Sequence, residues 1–111
     1  MADRKTRETE LSPGEAVALF ERAAKENPQD AQAQLNLGSA QYAAGHFDAA
    51  FSAFENAARL SPALAHAHYY LGVLYTKRGD KARAREEFDK VIGGDGNVML
   101  KSQARIQSNA L

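Results

Sequence analysis

Three histidines, at positions 46, 66 and 68, and fourteen carboxylates are the groups of this chain that could bind a metal or move a proton, and their spacing argues against both. His66 and His68 are two residues apart, so on a helix they point about 200° from each other and cannot share an ion. His46 falls in a turn with only Asp48 nearby. The loop Gly93-Gly94-Asp95-Gly96-Asn97 has a single carboxylate, whereas a calcium loop needs several at alternating positions. No Gly-Lys-Ser or Gly-Lys-Thr follows a glycine cluster, so a phosphate-cradling loop is not expected. Without cysteine there is no thiol nucleophile, no thiolate metal site and no disulfide framework. A nucleophile, base and orienting acid cannot be assembled from these motifs, and the expectation is a protein with no catalytic residues, no metal and no cofactor.

The basic run Lys77, Arg78, Lys81, Arg83 and Arg85 is diluted by Asp80, Glu86, Glu87 and Asp89, and no aromatic interleaves it as a base-stacking platform would require. It reads as a solvated helix face, in which Arg85 and Asp89 are spaced for a pair worth a few tenths of a kcal/mol. The fourteen basic and fourteen acidic residues cancel, which speaks against a general affinity for nucleic acid or anionic lipid. They are unevenly placed, with nine acids against five bases in residues 1–58 and nine bases against five acids in 59–111. No apolar run is long enough for a membrane span, and Met1 to Glu8 lack the apolar stretch of a secretory leader, so the cytoplasm is the expected location.

The elements that must position these groups read as helices in one small domain. Residues 1–11 mix charge and threonine without periodicity and are expected to form a mobile tail. Ser12-Pro13-Gly14-Glu15 is a helix start: a serine that caps, a proline suited to the first turn, and a glutamate able to reach back to the cap. That helix carries Ala16, Phe20, Ala23 and Ala24 on one stripe and stops near Asn27-Pro28. Further helices are expected over about 31–44, 48–60, 63–78 and 81–92, with stops at Gly45, Pro62, Gly79 and Gly93. A weaker one, over 98–110, covers the last face.

These helices repeat at a fixed offset, the one that separates Leu37 from Leu71. Leu37-Gly38 returns as Leu71-Gly72, Gly45 as Gly79, Ala50 as Ala84, Phe54 as Phe88 and Ala57 as Val91. One period earlier, Ala16, Phe20, Ala23 and Pro28 foreshadow Ala50, Phe54, Ala57 and Pro62. A period of about 34 residues with Leu-Gly, Ala and Phe at these offsets resembles the tetratricopeptide repeat. The resemblance covers residues 12–98 and implies an all-α fold: antiparallel helix-turn-helix repeats stacked into a short right-handed solenoid of about six helices. It divides the chain into a half repeat at 12–30, full repeats at 31–64 and 65–98 and a capping helix at 98–110. Within it, Gly38 and Gly72 are expected to let the two helices of a unit approach, with Ala50 and Ala84 as small partners and Phe54 and Phe88 joining unit to unit. Gln34, His68 and Gln41 depart from the large apolar residues the family places there, and looser packing is expected at Gln34 and Gln41. The half repeat lacks a first helix, which should leave Val17 and Leu19 uncovered.

In such proteins the first helix of each unit lines a concave groove that holds a peptide or a partner helix. The resemblance places Gln32, Leu35, Asn36, Ser39, Tyr42 and Ala43 on that face in one repeat and His66, Tyr69, Tyr70, Val73, Thr76 and Lys77 in the other. Some family members clamp a C-terminal carboxylate with lysine, asparagine and arginine; Asn36 matches, but His66 and Tyr70 stand where lysine and arginine are required. The expected function is therefore a protein-protein interaction module, an adaptor whose partner is another polypeptide, without nucleic acid or membrane. Self-association through the uncovered solenoid ends, giving a homo-oligomer, is the alternative.

Overall fold

The computed structural model describes residues 11–111, so the expected tail at 1–11 lies outside the described residues except for Leu11, which is half exposed outside any helix. Six helices follow in order: α1 Pro13–Glu26, α2 Ala31–Ala43, α3 Phe47–Leu60, α4 Ala65–Lys77, α5 Lys81–Ile92 and α6 Val98–Asn109. Successive helices pack against each other along the chain, and α6 also touches α4, giving an all-α solenoid 46 Å in its longest dimension.

Four of the six helices begin at a side-chain cap. The Ser12 hydroxyl accepts the Glu15 amide at 3.2 Å, Asp30 accepts from Gln32 and Ala33, Asp80 from Arg83, and Asn97 from Met99 and Leu100. α2 and α4 end alike. After each, a glycine takes a left-handed conformation, Gly45 at φ 81° and Gly79 at φ 79°. Around it the His46 amide donates to Gln41 and the Gly45 amide to Tyr42; one period on, Asp80 to Tyr75 and Gly79 to Thr76 repeat the pattern. Neither glycine has a neighbour crowding its missing Cβ, so backbone conformation rather than space requires it. α4 starts two residues later than the spacing suggested, because 61–64 form a turn closed by the Leu64 amide on the Ser61 carbonyl.

Gly38 and Gly72 are governed by space. A Cβ on Gly38 would lie 2.7 Å from the Phe54 ring, and one on Gly72 2.6 Å from Phe88. The close partner of each glycine is thus the phenylalanine of its own unit and not the alanine at 50 or 84. Phe54, Phe88, Ala50, Ala84, Ala57 and Val91 are fully buried. The core forms two clusters. One joins α2, α3 and α4 through Leu35, Phe51, Phe54, Leu71 and Leu74; the other joins α5 and α6 through Ala84, Phe88, Val91, Leu100 and Ala104.

One expectation about packing is corrected. Val17 is buried, at 8% exposure, because it faces inward from α1; Leu19, as expected, stands uncovered at 51%. Gln41 is buried, and its Oε1 has no hydrogen-bond partner among the described residues, a cost of roughly 1–3 kcal/mol for a buried acceptor. Gln34 is half buried.

Candidate peptide-binding face

Of the twelve positions expected on the concave face, α2 and α4 present most as half-buried or exposed side chains. On α2, the Gln32 side-chain amide donates to the Asn36 carbonyl oxygen at 2.9 Å, one helical turn away, which presents two amides as a fixed pair. Ser39 and Tyr42 are half buried and Ala43 is exposed. Leu35 departs from the expectation: only 7% exposed, it belongs to the core with Phe54 and Leu71 and supports the face from beneath. On α4, His66 and Lys77 are exposed and Tyr69, Tyr70 and Val73 half buried. Thr76 is exposed, but its hydroxyl donates back to the Gly72 carbonyl at 2.8 Å.

The tyrosines form a continuous row of rings across both helices. Tyr42 meets Phe47 edge-on at 5.3 Å and Tyr70 at 5.6 Å. Tyr70 lies parallel to Phe54, 4.7 Å between centroids and 5° between planes, and Tyr69 touches both Tyr70 and Phe88 at 5.9 Å. Each tyrosine therefore buries one side of its ring in the core and keeps part of its surface outside, an amphipathic arrangement common at recognition surfaces. Burial and the neighbouring Tyr70 hold the Tyr69 hydroxyl above its usual range against a hydrogen bond with Gln107, so it stays protonated and able to donate. The Lys77 ammonium sits 5.0 Å from the centre of the Phe47 ring. Phe47, absent from the expected face, closes its edge; its place at the first position of α3, immediately after the His46 turn, was the available signal.

His68, read from the sequence only as a departure from pattern, has a definite role. Its Nδ1 lies 2.8 Å from a Glu87 carboxylate oxygen and its Nε2 2.7 Å from the Pro62 carbonyl. The Pro62 carbonyl only accepts, so Nε2 carries a proton, and with Glu87 ionised Nδ1 carries one too, the imidazolium form that the raised His68 and lowered Glu87 pKa both favour. The Glu87 hydrogen bond raises the His68 pKa above 6.5, burial opposes it, and the Pro62 carbonyl adds to the rise. Burial alone would push Glu87 up, but His68 and Lys90, whose ammonium lies 3.3 Å from the other carboxylate oxygen, hold it below its ordinary value. This group ties the 61–64 turn, α4 and α5 together. Beside it opens a hollow of about 590 Å³ lined by Pro62, Ala65, His68, Lys90 and the 93–96 loop, and none of the tyrosines contributes to it. Among the described residues, no three His, Asp or Glu side chains are grouped to hold a metal ion, and no helix is long and apolar enough to cross a membrane.

The sequence matches the tetratricopeptide-repeat profile over residues 12–65 and again over 35–97. No curated protein sequence matches it. Among solved structures, the Yersinia enterocolitica type III secretion chaperone SycD, in complex with a peptide of the translocator YopD, superposes with a TM-score of 0.81 at 17% identity, over 88% of this chain and 78% of that one. The first tetratricopeptide domain of Spaghetti (RPAP3), bound to the HSP90 peptide SRMEEVD, gives 0.76 at 19% identity over 88% and 79%. YrrB, described as having an unusual peptide-binding site, gives 0.75 at 30% identity over 85% of this chain but only 48% of its own. With its repeat profile matched over most of its length and its fold shared with these structures, the chain belongs to the tetratricopeptide-repeat family.

Proposed function

We propose that this chain is an interaction module that binds a peptide or helix of another protein on the concave face of α2 and α4. Gln32, Asn36, Ser39, Tyr42, His66, Tyr69, Tyr70, Val73 and Lys77 make the contacts, and Leu35 backs them. The module acts by binding alone, as a scaffold, with no chemistry of its own. The observation that carries this reading is the row of half-buried tyrosines running from α2 to α4. Such rings offer large, rigid area and a hydrogen-bonding hydroxyl at small entropic cost. Two of the similar structures hold peptides, and the third is described as having a peptide site. The test is affinity capture of partners followed by peptide mapping, comparing the parent with the exposed-face variant Gln32→Ala/His66→Ala, whose melting temperature should be unchanged. Unchanged capture by that variant removes the groove as the site.

One observation favours a second reading, self-association. Leu19, Ala16, Phe20 and Ala23 on α1 are exposed or half buried, while their counterparts Ala53, Ala50, Phe54 and Ala57 on α3 are 4% exposed or fully buried. An open apolar stripe of this kind seeks a cover. Light scattering across concentration and salt checks it, and a strict monomer at high concentration and low salt removes the motive.

A further inference from the structure

Beyond α2 and α4, the exposed apolar side chains of α6 stand out: Val98, Met99 and Ile106 are 76%, 72% and 67% exposed. The register of α6 explains two of them. Its cap Asn97 stands to Leu64, the cap of α4, as its buried Leu100 and Ala104 stand to the buried Ala67 and Leu71, at a common spacing one short of the repeat period. The two helices thus turn corresponding sides toward the preceding unit, and α6 packs alongside α4. At the same offset, Met99 corresponds to His66 and Ile106 to Val73, both concave-face positions of α4.

We infer that α6 is the third wall of the binding face, and that Met99 and Ile106 form an apolar subsite for a bulky aliphatic side chain of an extended peptide, with an acidic residue of that peptide facing Lys77. This rests on the proposed peptide-binding role of α2 and α4. The face has a gradient: paired amides on α2, tyrosines between, and bare aliphatic carbon on α6. Charge sets the other half of the partner's chemistry. None of the positions placed on the face carries a carboxylate, and Lys77 is its one permanent charge, so a basic peptide finds nothing to pair with and an acidic group does. Apart from Val98 at its start, the other exposed positions of α6, Ser102, Gln103, Arg105 and Gln107 among them, are polar, as the last helix of a solenoid requires. Its two large apolar residues on the concave side are therefore not explained by capping.

The probe is a random decapeptide display library selected on the parent chain and on Met99→Gln/Ile106→Gln, changes that keep helix propensity and touch no buried residue. Peptides selected on the parent should be enriched in Leu, Ile, Val or Met at one end, contain Asp or Glu, and be depleted of Lys and Arg. Their affinity for the double variant should fall about tenfold to a hundredfold, as expected for losing one buried aliphatic contact. Their affinity for Gln32→Ala/His66→Ala should fall as well. Peptides that bind the α6 variant as tightly as the parent overturn the subsite while leaving the α2–α4 face standing. Failure to select any peptide on the parent overturns both.

Discussion

The pair α2–α3 and the pair α4–α5 share one joint and differ in the polar and aromatic side chains placed around it. In both, a phenylalanine ring lies on a glycine of the facing helix, and a left-handed glycine ends the first helix. Around that joint the second pair adds polar and aromatic fastenings. Tyr75 meets Phe51 edge-on at 5.1 Å and the Arg78 guanidinium lies 3.9 Å over the same ring, where the first pair has Gln41 and Ala44. His68 and Glu87 form a buried charged group where the first pair has Gln34 and Ala53. The steric joint defines the unit. The fastenings are individual: the second pair gains a titratable buried pair, and the first carries the cost of an unsatisfied amide.

The joint can be broken most severely at its rings. Phe54→Ala and Phe88→Ala should each lower stability by about 3–5 kcal/mol, read by urea unfolding, because each empties a fully buried site. Equal costs would show that the joint behaves the same in both pairs. Next come Gly38→Ala and Gly72→Ala, expected to cost roughly 1–3 kcal/mol through overpacking against those rings; a stabilised variant would mean the rings move aside freely.

The fastenings separate the pairs. His68→Ala should cost about 2 kcal/mol, less than the roughly 3–5 kcal/mol typical of a broken buried pair because Lys90 still neutralises Glu87. His68 has a raised pKa, so its contribution is complete below 6.5 and is lost as pH climbs through the raised value. Glu87 has a lowered pKa, so its contribution is complete above 4.5 and is lost as pH falls through the lowered value. Thermal melts of the parent should therefore peak between about pH 4.5 and 6.5 relative to a His68→Gln variant; parallel profiles would sink the imidazolium assignment. The smallest change is Gln41→Leu. It removes an unsatisfied acceptor from the first pair and should raise stability by about 1 kcal/mol, and a loss would show that water or an alternative rotamer satisfies the amide.

Much of this architecture was legible in the sequence because the joint is made of residue types with one purpose. Glycines at 38, 45, 72 and 79, each serving either close approach or a left-handed turn, together with Phe54 and Phe88, locate the helices and their pairing. The solvated reading of the basic run fits Lys81, Arg83 and Arg85, which are exposed, whereas Lys77 and Arg78, though exposed, lie over the Phe47 and Phe51 rings. What was not legible depends on side chains meeting across long sequence separations. Nothing local marks Glu87 as the partner of His68, nineteen residues earlier, or Pro62 as its second acceptor. The family's repeat position puts Leu35 on the groove, but here its neighbours Phe54 and Leu71 draw it into the core. The register of α6, one short of the repeat period, was hidden because the 93–97 loop changes length where the pattern breaks.

The parallel stack of Phe54 and Tyr70 has a mechanical meaning. Two rings 5° from parallel resist being pulled apart, since that exposes both faces, but slide across one another with little change in buried area. The stack lies where the α2–α3 pair meets α4, so a small displacement of one pair against the other would be taken up there by sliding. Sliding of this kind would move the tyrosine row relative to the α2–α3 pair while leaving the glycine joints of both pairs intact.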